Sequence, residues 1–259
     1  MSAPTRVADS GMGGARAPVR VADVVMEFRL VHERDVTLKE TVVRSLTGRR
    51  SERVERFRAL DGVSFEAHRG ETFGIIGPNG SGKTTMLRLL AGVLAPTTGT
   101  VDIDGRVTAL IELGAGFNPH LSGEENIYLG GALYGFGRDE MRQKFDRIVA
   151  FAELERFIRV PLKNYSSGMR ARLGFALATD VDPDVLLVDE ALAVGDESFQ
   201  AKCFERIRGF REGGKTIVLV SHDLHTVERS CARALRLSRG RVVDAGSASE
   251  VVERYRAST

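Results

Sequence analysis

One stretch constrains the fold more than any other: Gly77-Pro78-Asn79-Gly80-Ser81-Gly82-Lys83-Thr84, which matches the pattern G-x-x-x-x-G-K-[ST]. The pattern works only in one setting, where a buried strand delivers the loop and a helix leaves it. Phe73 to Ile76 reads as that strand and Thr85 to Leu94 as that helix. Glycines let backbone N–H groups curl around phosphates without Cβ clashes. The helix N-terminus adds about half a positive charge. On this reading Gly77, Asn79, Gly80, Ser81, Gly82 and Thr85 belong to a phosphate cradle. Lys83 reaches the β- and γ-phosphates of a nucleoside triphosphate, and the Thr84 hydroxyl ligates Mg²⁺.

The rest of the chain agrees with an α/β fold. Val19 to Leu30, Ala59 to Phe65 and Glu71 to Ile76 read as strands. Val185 to Val188 and Thr216 to Val220 are unbroken apolar runs, as expected of strands buried on both faces of a parallel sheet. Thr100 to Ala109 alternates around Asp104-Gly105 and predicts a hairpin. Asn118 to Thr179 is mostly helical in pattern, and Ser247 to Tyr255 reads as a capped helix after two closing strands. These elements predict a mostly parallel core sheet, an antiparallel β patch and an inserted helical subdomain over about 119–180. Residues 1–18, rich in Gly, Ala, Pro and Ser, read as a flexible tail before a domain spanning 19–259. Residues 29–58 are dense in charge and read as an insertion. It holds a short amphipathic helix from Val36 to Leu46, then a basic loop.

Two further strand ends carry chemistry. Asp189 closes the run "VLLVD", at the carboxyl end where ligands bind in open α/β sheets, and is the second Mg²⁺ anchor. Glu190 follows and is the candidate base that orients or deprotonates the attacking water. His222 ends "VLVSH", where a neutral imidazole would hydrogen-bond both the γ-phosphate and Glu190. Lys83, Glu190 and His222 are thus the candidate catalytic set. His120 and His225 have no such placement and read as surface residues.

Composition mainly excludes. A net charge of +2 gives no reason to expect nucleic-acid binding. Cys203 and Cys231 have no metal-ligand spacing and read as free thiols, with a single disulfide as the alternative. No apolar run approaches the roughly 20 residues of a membrane helix.

One helix start asks for a different explanation. Tyr165-Ser166-Ser167-Gly168-Met169 opens a helix whose Met169, Leu173, Ala176 and Leu177 share a face. Ser166 and the first amides form a second anion site. One P-loop already occupies one side of a nucleotide. A second anion site makes sense against the γ-phosphate of a different nucleotide, which implies two copies arranged head to tail.

Together these residues resemble an ABC-transporter nucleotide-binding domain, over about Val19 to Tyr255. "YSSGM" stands where that family has its L-S-G-G-Q signature. The resemblance implies that Ser166, Ser167 and Gly168 meet the ATP held by the partner copy, and that the partner's site is completed in return. Ala193 to Asp196 resembles the D-loop, with Asp196 its acidic member. Phe28 falls where the family stacks an aromatic ring on adenine. The usual Q-loop Gln is absent. Leu113 takes its place, and Glu112 beside it becomes the candidate for the Mg²⁺ and water contact.

"IELGAGFNPHLSGEENIYLGG", "NYSSGMRARLGFALA" and "DEALAVGDESFQAKC" resemble one branch, the ATP-binding subunits of bacterial exporters of cell-surface polysaccharides. The resemblance implies an ATPase at the cytoplasmic face of the cytoplasmic membrane, serving a separate polytopic membrane subunit. Its cargo would be a lipid-linked O-antigen, teichoic acid or cell-wall galactan. Gly114 to Tyr128 is then the expected contact with the membrane subunit, with Val36 to Leu46 a second. Some members add a C-terminal carbohydrate-binding domain; the chain ends soon after Tyr255, so the form without one is expected. An ABC subunit for a drug or lipid would keep every catalytic residue. A soluble ABC ATPase acting on DNA or ribosomes fits less well, since no long heptad run separates Lys83 from Ser166 and there is one cassette. A small GTPase lacks its N-K-x-D motif here.

Overall fold

The computed structural model describes residues 17–31, 54–111, 113–114, 116–189 and 195–258. Among these residues nine strands form two sheets. In the smaller sheet β1 (Val19–Val31) lies antiparallel between β2 (Val54–Ala67) and β4 (Thr98–Ile103). The larger sheet contains β3 (Thr72–Ile76), β5 (Val107–Leu110), β6 (Val185–Asp189), β7 (Thr216–Val220), β8 (Arg233–Ser238) and β9 (Arg241–Ser247). Its order is β5-β6-β7-β3-β8-β9, parallel except for β9 at one edge. The central strands read correctly from sequence because nothing in them faces water: β3 and β7 are buried along their whole length.

Helices cover the larger sheet. α1 (Lys83–Leu90) buries Met86, Leu87, Leu89 and Leu90 in a core shared by the two sheets. Three helices follow in the middle of the chain: α2 (Gly123–Leu133), α3 (Arg138–Ala152) and α4 (Ser167–Asp180). They enclose their own core around Ile127, Met141, Ile148 and Leu177. On the other face of the sheet, α4 packs with α5 (Glu197–Glu212), α6 (Leu224–Ser230) and α7 (Ala248–Ala257) around Phe175, Phe199, Val227 and Val251. Each such fully buried apolar side chain contributes roughly 1.5–3 kcal/mol. The expected α/β class, with its antiparallel patch and helical insertion, is what forms.

The helical insertion is closed by a local cap and a buried charge. The Ser122 Oγ accepts from the Glu125 N–H, and the Glu125 carboxylate accepts from the Ser122 N–H at 2.7 Å, a capping box that starts α2. Asp180, at the end of α4, is buried. It accepts a bidentate pair from Arg147 at 2.6 and 2.9 Å and a bond from Lys144 at 3.1 Å, both on α3.

Several expectations need correction. Thr100 to Ala109 is not a hairpin: β4 joins the antiparallel sheet, while β5 runs parallel to β6 in the other. The Asp104-Gly105-Arg106 turn is tied instead to Asp184. Its carboxylate accepts from the Arg106 N–H at 2.8 Å, and its own N–H donates to the Arg106 carbonyl at 2.9 Å. The charged insertion is narrower than 29–58, because β1 and β2 stay paired out to Val31 and Val54. Cross-strand Glu27–Arg58 pairing at 2.7 Å lets those charged residues remain strand. The helix from Val36 to Leu46 and residues 1–16 of the expected tail lie outside the described residues. Pro18 is buried and its carbonyl accepts from the Asp104 N–H at 2.8 Å, so it packs with the domain. The helix after the P-loop runs Lys83–Leu90 rather than Thr85 to Leu94, with Gly92 at φ 69° just beyond its end. Ser247 occupies the N-cap of α7, yet its side chain makes no capping bond.

Candidate nucleotide site

The P-loop joins β3 to α1 as its pattern requires. Gly82, the N-cap of α1, has φ 107°, and a Cβ there would lie 2.7 Å from Leu60 Cδ2 and 2.8 Å from the Ala59 carbonyl. Gly77 has φ 148°, and a Cβ would lie 2.2 Å from the Leu237 carbonyl. Among the described residues no side chain caps α1, so a ligand at the loop can take up its first amides. The Lys83 ammonium is folded over the loop, donating to the carbonyls of Gly77 at 2.7 Å and Pro78 at 3.1 Å. Ser81 Oγ is buried and has no hydrogen-bond partner among the described residues. The turn between β8 and β9 braces the loop from outside: the Gly240 N–H donates to the Ser81 carbonyl at 3.0 Å, and the Asp61 N–H donates to the Gly240 carbonyl at 2.8 Å.

The sheet brings the other strand-end residues to the same edge. Asp189 of β6 is in register with Val220 of β7, and Val220 with Ile75 of β3. The ends of three adjacent parallel strands are therefore level. Gly77 follows Ile75 by two residues and His222 follows Val220 by two. His222 is exposed, and the next residue, Asp223, caps α6. The Thr226 hydroxyl and the His225 N–H hold the Asp223 carboxyl below the usual aspartate range. A magnesium ion fits this donor set: a carboxylate at the end of β6 and the exposed Thr84 hydroxyl at the first turn of α1.

The signature residues form a separate cleft. Ser166 is the N-cap of α4, and its Oγ accepts from the Met169 N–H at 3.1 Å. Among the described residues no bond takes up the N–H groups of Ser167 or Gly168. Ser166 and Ser167 are exposed, whereas Tyr165 is buried and its hydroxyl donates to the Phe157 carbonyl at 2.7 Å. The cleft holds about 690 Å³ and is lined by Ser166, Ser167, Gly168, Arg172 and Asp196, with no P-loop residue among its walls. Asp196 caps α5 through the Phe199 N–H at 3.0 Å and pairs with Arg172 at 2.8 Å. The Phe199 N–H, the Ser198 hydroxyl and Arg172 hold its carboxyl below the usual aspartate range.

Phe28, Glu112 and Glu190 complete the set of expected site residues. Phe28 is half-buried on β1, opposite Phe57 of β2, against the core beneath the P-loop. Glu112 and Glu190 lie outside the described residues, as do Ala193 and Val194 of the D-loop. Leu113 and Gly114 lie against α4, where Gly174 makes room: a Cβ there would come within 2.5 Å of the Gly114 nitrogen. The two cysteines are free and buried, and burial pushes both thiols up to about 12. Arg172 and Gly240 were not anticipated. The partners of Arg172 lie 19 and 24 residues away, which no local pattern reveals.

Residues 60–193, from β2 through the P-loop and signature to the D-loop, match the family model for ABC transporters. The chain is also 42% identical over 238 residues to the O-antigen export system ATP-binding protein RfbB of Klebsiella pneumoniae, covering 92% of this chain and 97% of that protein. This chain belongs to the ABC transporter family. Within that family its similarity extends to the RfbB protein of Myxococcus xanthus, 48% identical over 90% of this chain and 54% of that protein. The teichoic acids export ATP-binding protein TagH of Bacillus cereus is 47% identical over 77% of this chain and 36% of its own length. The chain thus spans about half of the Myxococcus protein, about a third of TagH and nearly all of the Klebsiella one. Among solved structures, an ATP-binding subunit of an ABC transporter superposes with a TM-score of 0.70 at 22% identity, covering 92% of this chain and 93% of that one. A dimeric ATP-binding cassette in a post-hydrolysis state gives 0.68 at 23% identity, covering 89% and 98%. The ABC ATPase fold is therefore the fold of this chain.

Proposed function

We propose that this chain is the ATP-hydrolysing subunit of an exporter that moves a lipid-linked cell-surface polysaccharide across the cytoplasmic membrane. The level row of strand ends, Asp189, Val220 and Ile75, carries the hydrolytic part of this reading. It supports a shared site for the P-loop, the Asp189 carboxylate and His222 at one edge of the sheet. Lys83 exchanges the Gly77 and Pro78 carbonyls for phosphate oxygens. Thr84 and Asp189 hold Mg²⁺, which when bound neutralises charge on the phosphates. Glu190 orients the attacking water and accepts its proton, while His222 hydrogen-bonds the γ-phosphate. Glu112 gives a further contact to the ion or water, and Phe28 stacks on the adenine.

Two copies share the work. The cleft of Ser166, Ser167, Gly168 and Asp196 contains no P-loop residue, so its anion-binding amides serve the nucleotide of a second copy. Closure of the two around ATP, then hydrolysis and reopening, drives the membrane subunit. That subunit docks at Gly114 to Tyr128. Phe117, Leu133, Tyr134 and Val93 line an apolar cavity of about 250 Å³ there, and Val93 and Leu133 are two-thirds exposed at 67% and 68%. Residues 36–46 give a second contact. The chain is held at the cytoplasmic face through this partner; among its described residues no helix is long and apolar enough to cross a membrane.

The cargo part rests on relatives whose names specify O-antigen and teichoic acid export. Affinity purification of this chain from its native membranes tests it. A polytopic membrane protein is expected to co-purify, and depletion of the chain should stop a surface glycan from appearing outside. A fully active dimer with no membrane partner would contradict the exporter reading.

A further inference from the structure

Arg172 lies on α4, six residues after Ser166, or roughly 9 Å along the axis. Its guanidinium forks. One arm donates to Glu153 at 2.8 Å and the other to Asp196 at 2.8 Å, and its plane covers the Phe199 ring at 4.8 Å. The side chain is only 17% exposed. Glu153 terminates α3 in a left-handed conformation, φ 59°, and also binds Lys202 of α5. Asp196 starts α5. Gly195, φ 74°, runs so close that a Cβ would lie 3.1 Å from Arg172 Nε. One planar cation therefore joins the helical insertion, the signature helix and the D-loop. A lysine, a single point charge, cannot fork between both carboxylates in this way.

We infer that Arg172 is a positioning residue that fixes the start of α4 relative to Asp196. Ser166, Gly168 and Asp196 then reach the second copy's nucleotide as one unit. The inference rests on the two-copy reading above. α4 itself does not depend on the fork, because Leu173, Phe175, Ala176 and Leu177 anchor it in two cores. Asp196 keeps its capping bond to the Phe199 N–H without Arg172. Removing the guanidinium therefore disturbs the alignment of two interface elements and leaves each one folded.

The experiment uses the full chain carrying Glu190→Gln, titrated with ATP·Mg²⁺ and followed by sedimentation. Adding Arg172→Ala should raise the ATP concentration for half-dimerisation about tenfold to a hundredfold, the scale of a misplacement of about 1 Å. Nucleotide affinity of the dilute monomer, measured with a fluorescent ATP analogue, and the melting temperature should stay at the parent values. Arg172→Lys should remain impaired. Glu153→Gln should reproduce part of the defect, and the Arg172→Ala, Glu153→Gln pair should be no worse than Arg172→Ala alone. The inference fails if Arg172→Ala dimerises like its parent, if it loses nucleotide binding and melting temperature together, or if the two substitutions add. If the Glu190→Gln parent never dimerises with ATP, the two-copy reading itself is wrong, and that result is distinct from the others.

Discussion

Ser166 performs two tasks that a substitution can separate. Its hydroxyl satisfies the Met169 N–H inside its own chain, while the neighbouring amides of Ser167 and Gly168 stay available to an anion. Ser166→Arg removes the cap, at about 1 kcal/mol, and fills the shared interface with a long cation. ATP hydrolysis should fall to background, while ATP still binds the isolated monomer. Equilibrium binding and steady-state phosphate release separate the two. Loss of binding as well would mean a folding defect. Glu71 gives a residue-scale test of the scaffold. Burial raises its pKa, but Arg233, at 2.7 and 2.9 Å, and the His68 N–H more than offset that and hold it below the usual glutamate range. A carboxylate depressed in the folded state stabilises at neutral pH and loses that contribution as pH falls through its folded value. Urea unfolding across a pH series should show Glu71→Gln less stable at neutrality and with a shallower acid decline. Parallel curves would contradict this.

At the scale of elements, the helical insertion depends on Asp180. It is the buried junction of α3 and α4, and Asp180→Ala leaves Lys144 and Arg147 without their shared acceptor. Breaking a fully buried pair costs ~3–5 kcal/mol. Arg147 is 58% exposed and can turn to water, so about 2–3 kcal/mol is expected here, read from denaturant midpoints. A change under ~0.5 kcal/mol would place the closure elsewhere. The same elements explain what could be read in advance. β3, β6 and β7 are apolar on both faces, so their runs announce buried parallel strands and place Asp189 and His222 at strand ends. The alternation from Thr100 to Ala109 also announces strands, but alternation says nothing about a strand's partner. Asp184, 78 residues beyond Arg106, decides that β4 and β5 part. Charge misled in the other direction. Arg56 and Arg58 read as loop until cross-strand pairing with Glu27 makes them part of a strand. Arg172 stayed hidden for the same reason as Asp184, since its role is defined by partners distant in sequence.

At the scale of the molecule, the proposed function makes the chain two half-sites. The P-loop edge offers amides, a lysine and a carboxylate to a nucleotide. The Ser166 cleft offers unclaimed amides and no P-loop residue. On the proposed two-copy reading a second copy lets both halves serve the same ATP, and the twofold repetition completes two sites at once. With Glu190 as the proposed base, Glu190→Gln separates binding from hydrolysis, since the amide cannot take the proton of the attacking water. The direct test is the mass of this variant in solution with saturating ATP·Mg²⁺, by light scattering after size exclusion. An ATP-dependent dimer that ADP does not support is the expected result. A monomer at saturating ATP would contradict it.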